Sequence, residues 1–391
     1  MKNLLILLAL VLYTNINAQQ KTADNFVKTY DVKNAQTISI KNNNKNVTIK
    51  TWKQSTVQMS TYINETLNKN YAYDAKLRGS TFKINVQLTT NSTSNTNGNN
   101  YTNHSDTNDE GATINEAIAM VKNNSTTTAR KPKGTTTTSY NSNGNNYSHT
   151  YGNSKQDCGC DIHTNNTITI TIPENMPIEI ENNNGNMEIE DDITDLQLNC
   201  NNGNVNALNI KNLQLESSNS NYEFGNIDKA ELDVTSCNIN TGKVTTLDMD
   251  TKFSNYDIAS IEVLNIQGSQ SDNFDIAEVG TLNGSFSFST FKILKLNKAL
   301  NINANSGTIK IKSVAAQVKE INIDGKYSDI DINTKNIAAY NFTAKSIFST
   351  IKTNGKIIET DNDEKEYNDT KGNGKGTAIA VNCNSCTVTV K

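Results

Sequence analysis

Twelve residues, Leu300-Asn301-Ile302-Asn303-Ala304-Asn305-Ser306-Gly307-Thr308-Ile309-Lys310-Ile311, set the reading of the whole chain. Two apolar-x-apolar runs flank an Asn-Ser-Gly turn. Period-two alternation puts one face of each run inward, and Asn, Ser and Gly are the residues that tight turns use. The same phrase recurs on both sides of this stretch. First strands begin at Ile178, Leu196, Leu213, Leu232, Met249, Leu264, Leu282, Leu300, Ile321 and Tyr340. Second strands centre on Met187, Val205, Tyr222, Tyr256, Phe274, Phe291, Ile309, Ile330 and Ile351; near Cys237 either Ile239 or Val244 fits. Nine steps from 178 to 340 average about 18 residues. One repeat cannot bury its apolar face alone, whereas stacked repeats bury a continuous core. The pattern therefore predicts an all-β fold: a single-chain β-solenoid, a right-handed β-helix with about 18 residues per rung. Ten rungs at the usual strand spacing would make a rod of about 50 Å.

Outward from the repeats, composition divides the chain. Residues 1–18 read as a signal peptide: Lys2, an apolar run from Leu4 to Leu12, and a small residue, Ala18, at a cleavage point. That run is too short to span a bilayer, and no later segment reaches membrane length. Residues 19–88 form an N-terminal β cap region. In it Ile38-Ser39-Ile40 and Val47-Thr48-Ile49 make a rung-like unit, and strands over 57–63 and 81–88 flank a short helix. Residues 89–165 form an Asn/Ser/Thr-rich insertion too polar to offset chain entropy, hence disordered, apart from a short helix over 113–121. Residues 166–355 carry the solenoid repeats. Residues 356–391 hold a charged loop and a closing hairpin over 377–382 and 387–390.

Composition limits the partners. The 391 residues carry 36 Lys+Arg and 40 Asp+Glu, a net charge of −4, so no polycation exists for nucleic-acid binding. Arg78 and Arg130 are the only arginines, which removes the usual bidentate clamp for phosphate or carboxylate. About one residue in six is asparagine, and turns stacked at rung spacing let Asn and Ser side chains form hydrogen-bonded ladders.

Catalytic and metal motifs are missing. His104, His149 and His163 all lie in the insertion, away from packed neighbours that could orient a base. Cys158-Gly159-Cys160-Asp161-Ile162-His163 lacks a distant partner pair for zinc. No cofactor is expected. Cys383 and Cys386, three apart across an Asn-Ser turn, are the disulfide candidate; the pairing of Cys158, Cys160, Cys200 and Cys237 stays open. Outward positions on the second strands read Glu188, Glu223, Asp257, Asp275, Lys292, Lys310, Asp331 and Lys352. Asp275 beside Lys292, and the run Lys310–Asp331–Lys352, are expected ladder neighbours of opposite charge.

Several of these segments resemble a known family. The Trp52-to-Val57 strand after an Asn-rich turn, Ile168-Thr169-Ile170-Thr171-Ile172-Pro173, Ile178-Glu179-Ile180 and Asn184-Gly185-Asn186-Met187 are similar to the bacterial "putative adhesin" β-strand-repeat family. The resemblance covers about residues 30–90 and 166–355 and implies an envelope or surface protein; it carries over no catalytic residues. The resulting expectation is an exported, non-enzymatic, adhesin-like β-solenoid of the cell envelope, periplasmic or outer-surface, or extracellular. Its ligand would be a surface glycan or protein. The alternatives are a periplasmic scaffold or sensor in envelope-stress signalling, and a polysaccharide-active β-helix enzyme. Oligomeric state is open, since an exposed terminal rung can pair edge to edge.

Overall fold

The computed structural model describes residues 25–62, 71–88, 136–142, 145–151, 167–353 and 355–391. Apart from one separate pair, the described strands join in a single sheet of 27 strands. The sheet winds as a β-solenoid: from Ile178 to Ile332 each rung has a first strand, a tight turn, a second strand and a link to the next rung. Register fixes the beat. Ile178 pairs with Leu196, Leu196 with Leu213, Leu213 with Ala230, Ala230 with Leu247 and Leu247 with Leu264, all in parallel. Rungs therefore repeat every 17 or 18 residues here. Leu232 and Met249 are not rung starts; they sit two residues further on, paired with each other between Leu215 and Ile266. Ala230 is the true start, and an alanine adds little to an apolar pattern.

Ile239 holds the second-strand position, between Tyr222 and Tyr256. Val244 belongs to a third buried column, Ile193–Ile210–Ile227–Val244–Ile261–Val279–Leu296, that runs along the links. Three apolar faces, from the first strands, the second strands and the links, thus enclose the core. Inside it Tyr256, Phe274 and Phe291 stack face to face, with centroids 4.6 and 4.2 Å apart.

Both ends of the stack are interleaved. At the N-terminal end Thr37–Asn43 lies between Ile178–Asn183 and Thr81–Leu88, while Asn46–Trp52 lies between Asn186–Ile189 and Thr167–Pro173. Residues 37–52 are therefore a complete rung, in register with partners 140 positions later. The next rung outward is made of Thr81–Leu88 and Thr167–Pro173, so the chain between them departs where other rungs have their turn. Antiparallel strands cover this end: Tyr71–Arg78 on Thr81–Leu88, Thr56–Tyr62 on Thr167–Pro173, and Asn25–Asp31 on Thr56–Tyr62. Where the sequence predicts a short helix, the described residues hold a strand, Tyr71–Arg78, as the alternation of Tyr71, Tyr73, Ala75 and Leu77 with polar or small residues allows; residues 63–70 lie outside the described residues.

The C-terminal end corrects the expected hairpin. Thr377–Asn384 inserts between Glu320–Lys326 and Tyr340–Ile347, and Thr387–Val390 between Asp329–Ile332 and Thr350–Thr353. The two strands do not pair with each other; they form one more rung, whose buried Ile379, Val381, Val388 and Val390 repeat the phrase of residues 300–311. Lys356–Glu359 and Lys365–Lys371 close the stack with antiparallel pairs.

A second compact unit spans residues 90–162. In it Thr136–Ser142 and Asn145–Tyr151 pair antiparallel, so regular structure stands in part of the segment expected to lack it. The leader, the 113–121 helix, Cys158, Cys160, and the side chains of His104, His149 and His163 lie outside the described residues.

Candidate functional site

The exterior is built from columns of equivalent side chains. Asn46, Asn186, Asn204, Asn221, Asn238, Asn255 and Asn273 form one ladder, each amide nitrogen donating to the amide oxygen of the rung before at 2.7–3.1 Å. A second ladder joins Asp248, Asn265, Asn283, Asn301 and Asn322 at 2.8–3.1 Å. An amide suits this role because it carries a donor and an acceptor, and so satisfies a neighbour on each side.

The turns make a further column. Their central residues are Asn44, Asn184, Asn202, Asn219, Ser236, Phe253, Ser271, Phe288, Ser306, Tyr327, Ser385 and Phe348 in stacking order, with φ between 49° and 61°. Backbone bonds confirm that order. Phe253 N donates to Gln270 O, Ser271 N to Ser287 O, Phe288 N to Asn305 O, Ser306 N to Lys326 O, Tyr327 N to Asn384 O and Ser385 N to Ile347 O. Asparagine tolerates this left-handed conformation, whereas bulky side chains are outliers in it at about 1–2 kcal/mol each. The four aromatics are also exposed: Phe253 56%, Phe288 61%, Tyr327 67% and Phe348 59%. Phe253→Asn is therefore expected to stabilise the protein by about 1 kcal/mol, read as a higher midpoint in urea unfolding.

Residues 107–391, well over half of the chain, match the family described as Toastrack DUF4097. The chain belongs to the Toastrack family. No curated protein matches it. A solved structure similar to this chain is that of a putative cell adhesion protein from Clostridium sporogenes ATCC 15579, with 10% identity over 94% of this chain and 98% of that one, at a TM-score of 0.19. A score that low carries no structural argument.

In this Toastrack chain the second-strand charges fall largely as the spacing predicts. Asp257 pairs with Asp275, Asp275 with Lys292, and Lys310 with Asp331. Asp331 and Lys352 are not neighbours, because Thr389 of the inserted rung stands between them; Lys391 Nζ meets Asp331 instead, at 2.9 Å. Sequence reading missed the first-strand face. There Glu216, Asp233 and Asp250 stack in one column and Glu231 and Asp248 in the next, along a shallow cavity of about 340 Å³. Further along that face a groove of about 900 Å³ is lined by Asn303, Asp324, Lys326, Lys345 and Glu364, among others. Among the described residues no group of three or more His, Cys, Asp or Glu side chains converges as a metal site requires. No helix among them is long and apolar enough to cross a membrane.

Inside the turns, the residue two before the left-handed position faces the residue one after it. Cys383 and Cys386 occupy these two places in the inserted rung, buried and as free thiols. A Cβ on Gly325 in the adjacent rung would lie 3.1 Å from both sulfurs, so a larger residue beneath the pair would require the thiols to give by a few tenths of an ångström. The contact between the two thiols holds the pKa of Cys386 below its ordinary value and, with burial, pushes that of Cys383 up. Cys200 and Cys237 lie in two other turns as separate buried thiols, next to Ser220 at 3.6 Å and Ser217 at 3.5 Å.

Asp272 fills the corresponding place behind Ser271. Its carboxylate accepts from Ser254 N at 2.7 Å, Ser269 Oγ at 2.7 Å, Gln270 N at 2.8 Å and Thr251 Oγ1 at 3.2 Å. Burial raises its pKa above 3.8, and these donors oppose the rise. A carboxyl with a raised folded value costs stability when ionised and returns it as the pH falls through that value. The stability of wild type relative to Asp272→Asn should thus improve between neutral pH and about pH 4, measured by urea unfolding across that range.

Proposed function

We propose that this protein is an exported, non-enzymatic binding solenoid of adhesin-like character that works in the cell envelope. The observation that supports this reading best is the ladder from Asn46 to Asn273, seven exposed amides in line. A surface repeating every ~4.8 Å presents many equivalent weak contacts in register, which suits an extended polymer or a cell surface better than one small molecule. The N-terminal pattern from Lys2 to Ala18 supports export. Intact-mass analysis of the protein recovered from its native cells tests export, with a chain starting at Gln19 expected. Protease treatment of intact cells, followed by binding of the purified protein to cells, tests adhesion. A chain that keeps residues 1–18 and stays with the cytosol overturns the reading.

Export also gives the cysteine pair a role. We propose that Cys383 and Cys386 close a disulfide in an oxidising compartment, the two thiols giving up two protons and two electrons to an oxidant there. Closing so short a loop should add about 2 kcal/mol. Alkylation before and after reduction, followed by mass spectrometry, should find both cysteines blocked in protein from the native compartment. Free thiols in that sample would refute the pairing.

A further inference from the structure

We infer that the exposed turn aromatics Phe253, Phe288, Tyr327 and Phe348 form a binding comb for an extended β-1,4-linked glycan lying along the solenoid axis. The inference rests on the adhesive reading above and names its ligand class. Its basis is the order of the turn column: Phe253, Ser271, Phe288, Ser306, Tyr327, Ser385, Phe348. Aromatic and serine alternate without a break over seven rungs. The alternation is invisible in chain order at its far end, because Ser385 belongs to the inserted rung and reaches its place between Tyr327 and Phe348 only through the fold.

Neither folding nor packing accounts for these four residues. The same backbone conformation is met by asparagine at Asn184, Asn202 and Asn219, and more than half of each aromatic lies in solvent. What the column does provide is spacing. Rungs are about 4.8 Å apart, so successive aromatics recur at about 9.6 Å. In an extended β-1,4-linked chain each sugar is flipped relative to the last, so equivalent ring faces return every second residue, over nearly the same distance. Pyranose rings offer flat C–H faces to aromatic platforms, and their hydroxyls need polar partners beside them. Those partners flank the comb: Lys252, Asn305 and Lys326 precede turn residues, and Thr290, Thr308 and Thr387 follow them, all at least partly exposed.

A second copy of the chain fits this column less well. Four rings, each exposing about 100–150 Å², amount to about 500 Å² in single file between polar rows. A stable protein interface buries about 800 Å² per partner.

The test uses the purified full chain and a variant carrying Phe253→Asn, Phe288→Asn, Tyr327→Asn and Phe348→Asn. Asparagine suits the left-handed turn, so the variant should fold with an unchanged or higher Tm, checked by circular dichroism. The probes are chitin and microcrystalline cellulose in pull-down, and chitohexaose in calorimetry, with dextran as the α-linked control. Wild type should be retained on at least one β-1,4-linked polymer and not on dextran, and the variant should lose at least tenfold in affinity. A Phe288→Asn single variant should lose about two- to fivefold. Absence of retention on both β-linked polymers, equal retention of the variant, or equal retention on dextran would each overturn the inference. Light scattering that finds a wild-type dimer and a monomeric variant would hand the comb to a second copy and overturn it too. Cell binding that persists without glycan retention sinks this inference alone; loss of cell binding as well removes the adhesive reading with it.

Discussion

Ending the chain at Gly376 is expected to lower Tm by more than 10 °C and to make residues 320–353 sensitive to protease. The truncation removes a rung from inside the stack. Thr377–Asn384 and Thr387–Val390 hydrogen-bond to neighbours on both sides, so two rung-to-rung interfaces disappear together. In a solenoid, stability is close to a sum of such nearest-neighbour terms. Ile379, Val381, Val388 and Val390, all nearly inaccessible, are each worth about 1.5–3 kcal/mol of burial, an upper bound of roughly 6–12 kcal/mol. Thermal unfolding by circular dichroism and timed proteolysis read the two effects. An unchanged Tm would mean that the rungs holding Tyr327 and Phe348 close directly on each other.

Phe274→Ala should cost about 3–5 kcal/mol, measured as the shift of the urea midpoint at constant slope. Phe274 is 1% exposed and lies between Tyr256 and Phe291, 4.6 and 4.2 Å away. Its backbone is tied to both adjacent rungs by parallel ladders, so the walls cannot close over the hole and the cavity term is felt in full. Phe274→Leu, which refills most of the space, should cost about 1.5 kcal/mol or less.

The repeat was legible because its alternation and its turn residues agree at each rung. Leu300 to Ile311 announces strand, turn and strand from local chemistry alone. What escaped was non-local. Nothing near Thr377 says that its strand belongs between Lys326 and Tyr340 in the stack, because rung order is set by which edges remain open, not by neighbours in sequence. Ala230 misplaced one rung start since alanine carries little hydrophobic weight, and the next start, Leu247, was read two residues late at Met249 in step with it. The link column through Val244 was overlooked because isolated apolar residues show no period of two. At the surface, the charges of the second strands could be read from spacing, but Lys352 could not be placed without knowing that Thr389 intervenes. The aromatic column needed two things that sequence does not supply: the sign of φ at each turn and the spatial order of the last three rungs.

Interleaving confines growth of this molecule to its middle. Strands at either end answer to partners fixed by distant parts of the chain, whereas from Ile193 to Ile311 each unit meets only the unit before and the unit after. Duplicating a 17- or 18-residue module there lengthens the protein by about 4.8 Å and disturbs neither terminus. Parity adds a condition. Between Phe253 and Tyr327 a single extra module sets two serines or two aromatics side by side, and modules added in pairs keep the comb in phase.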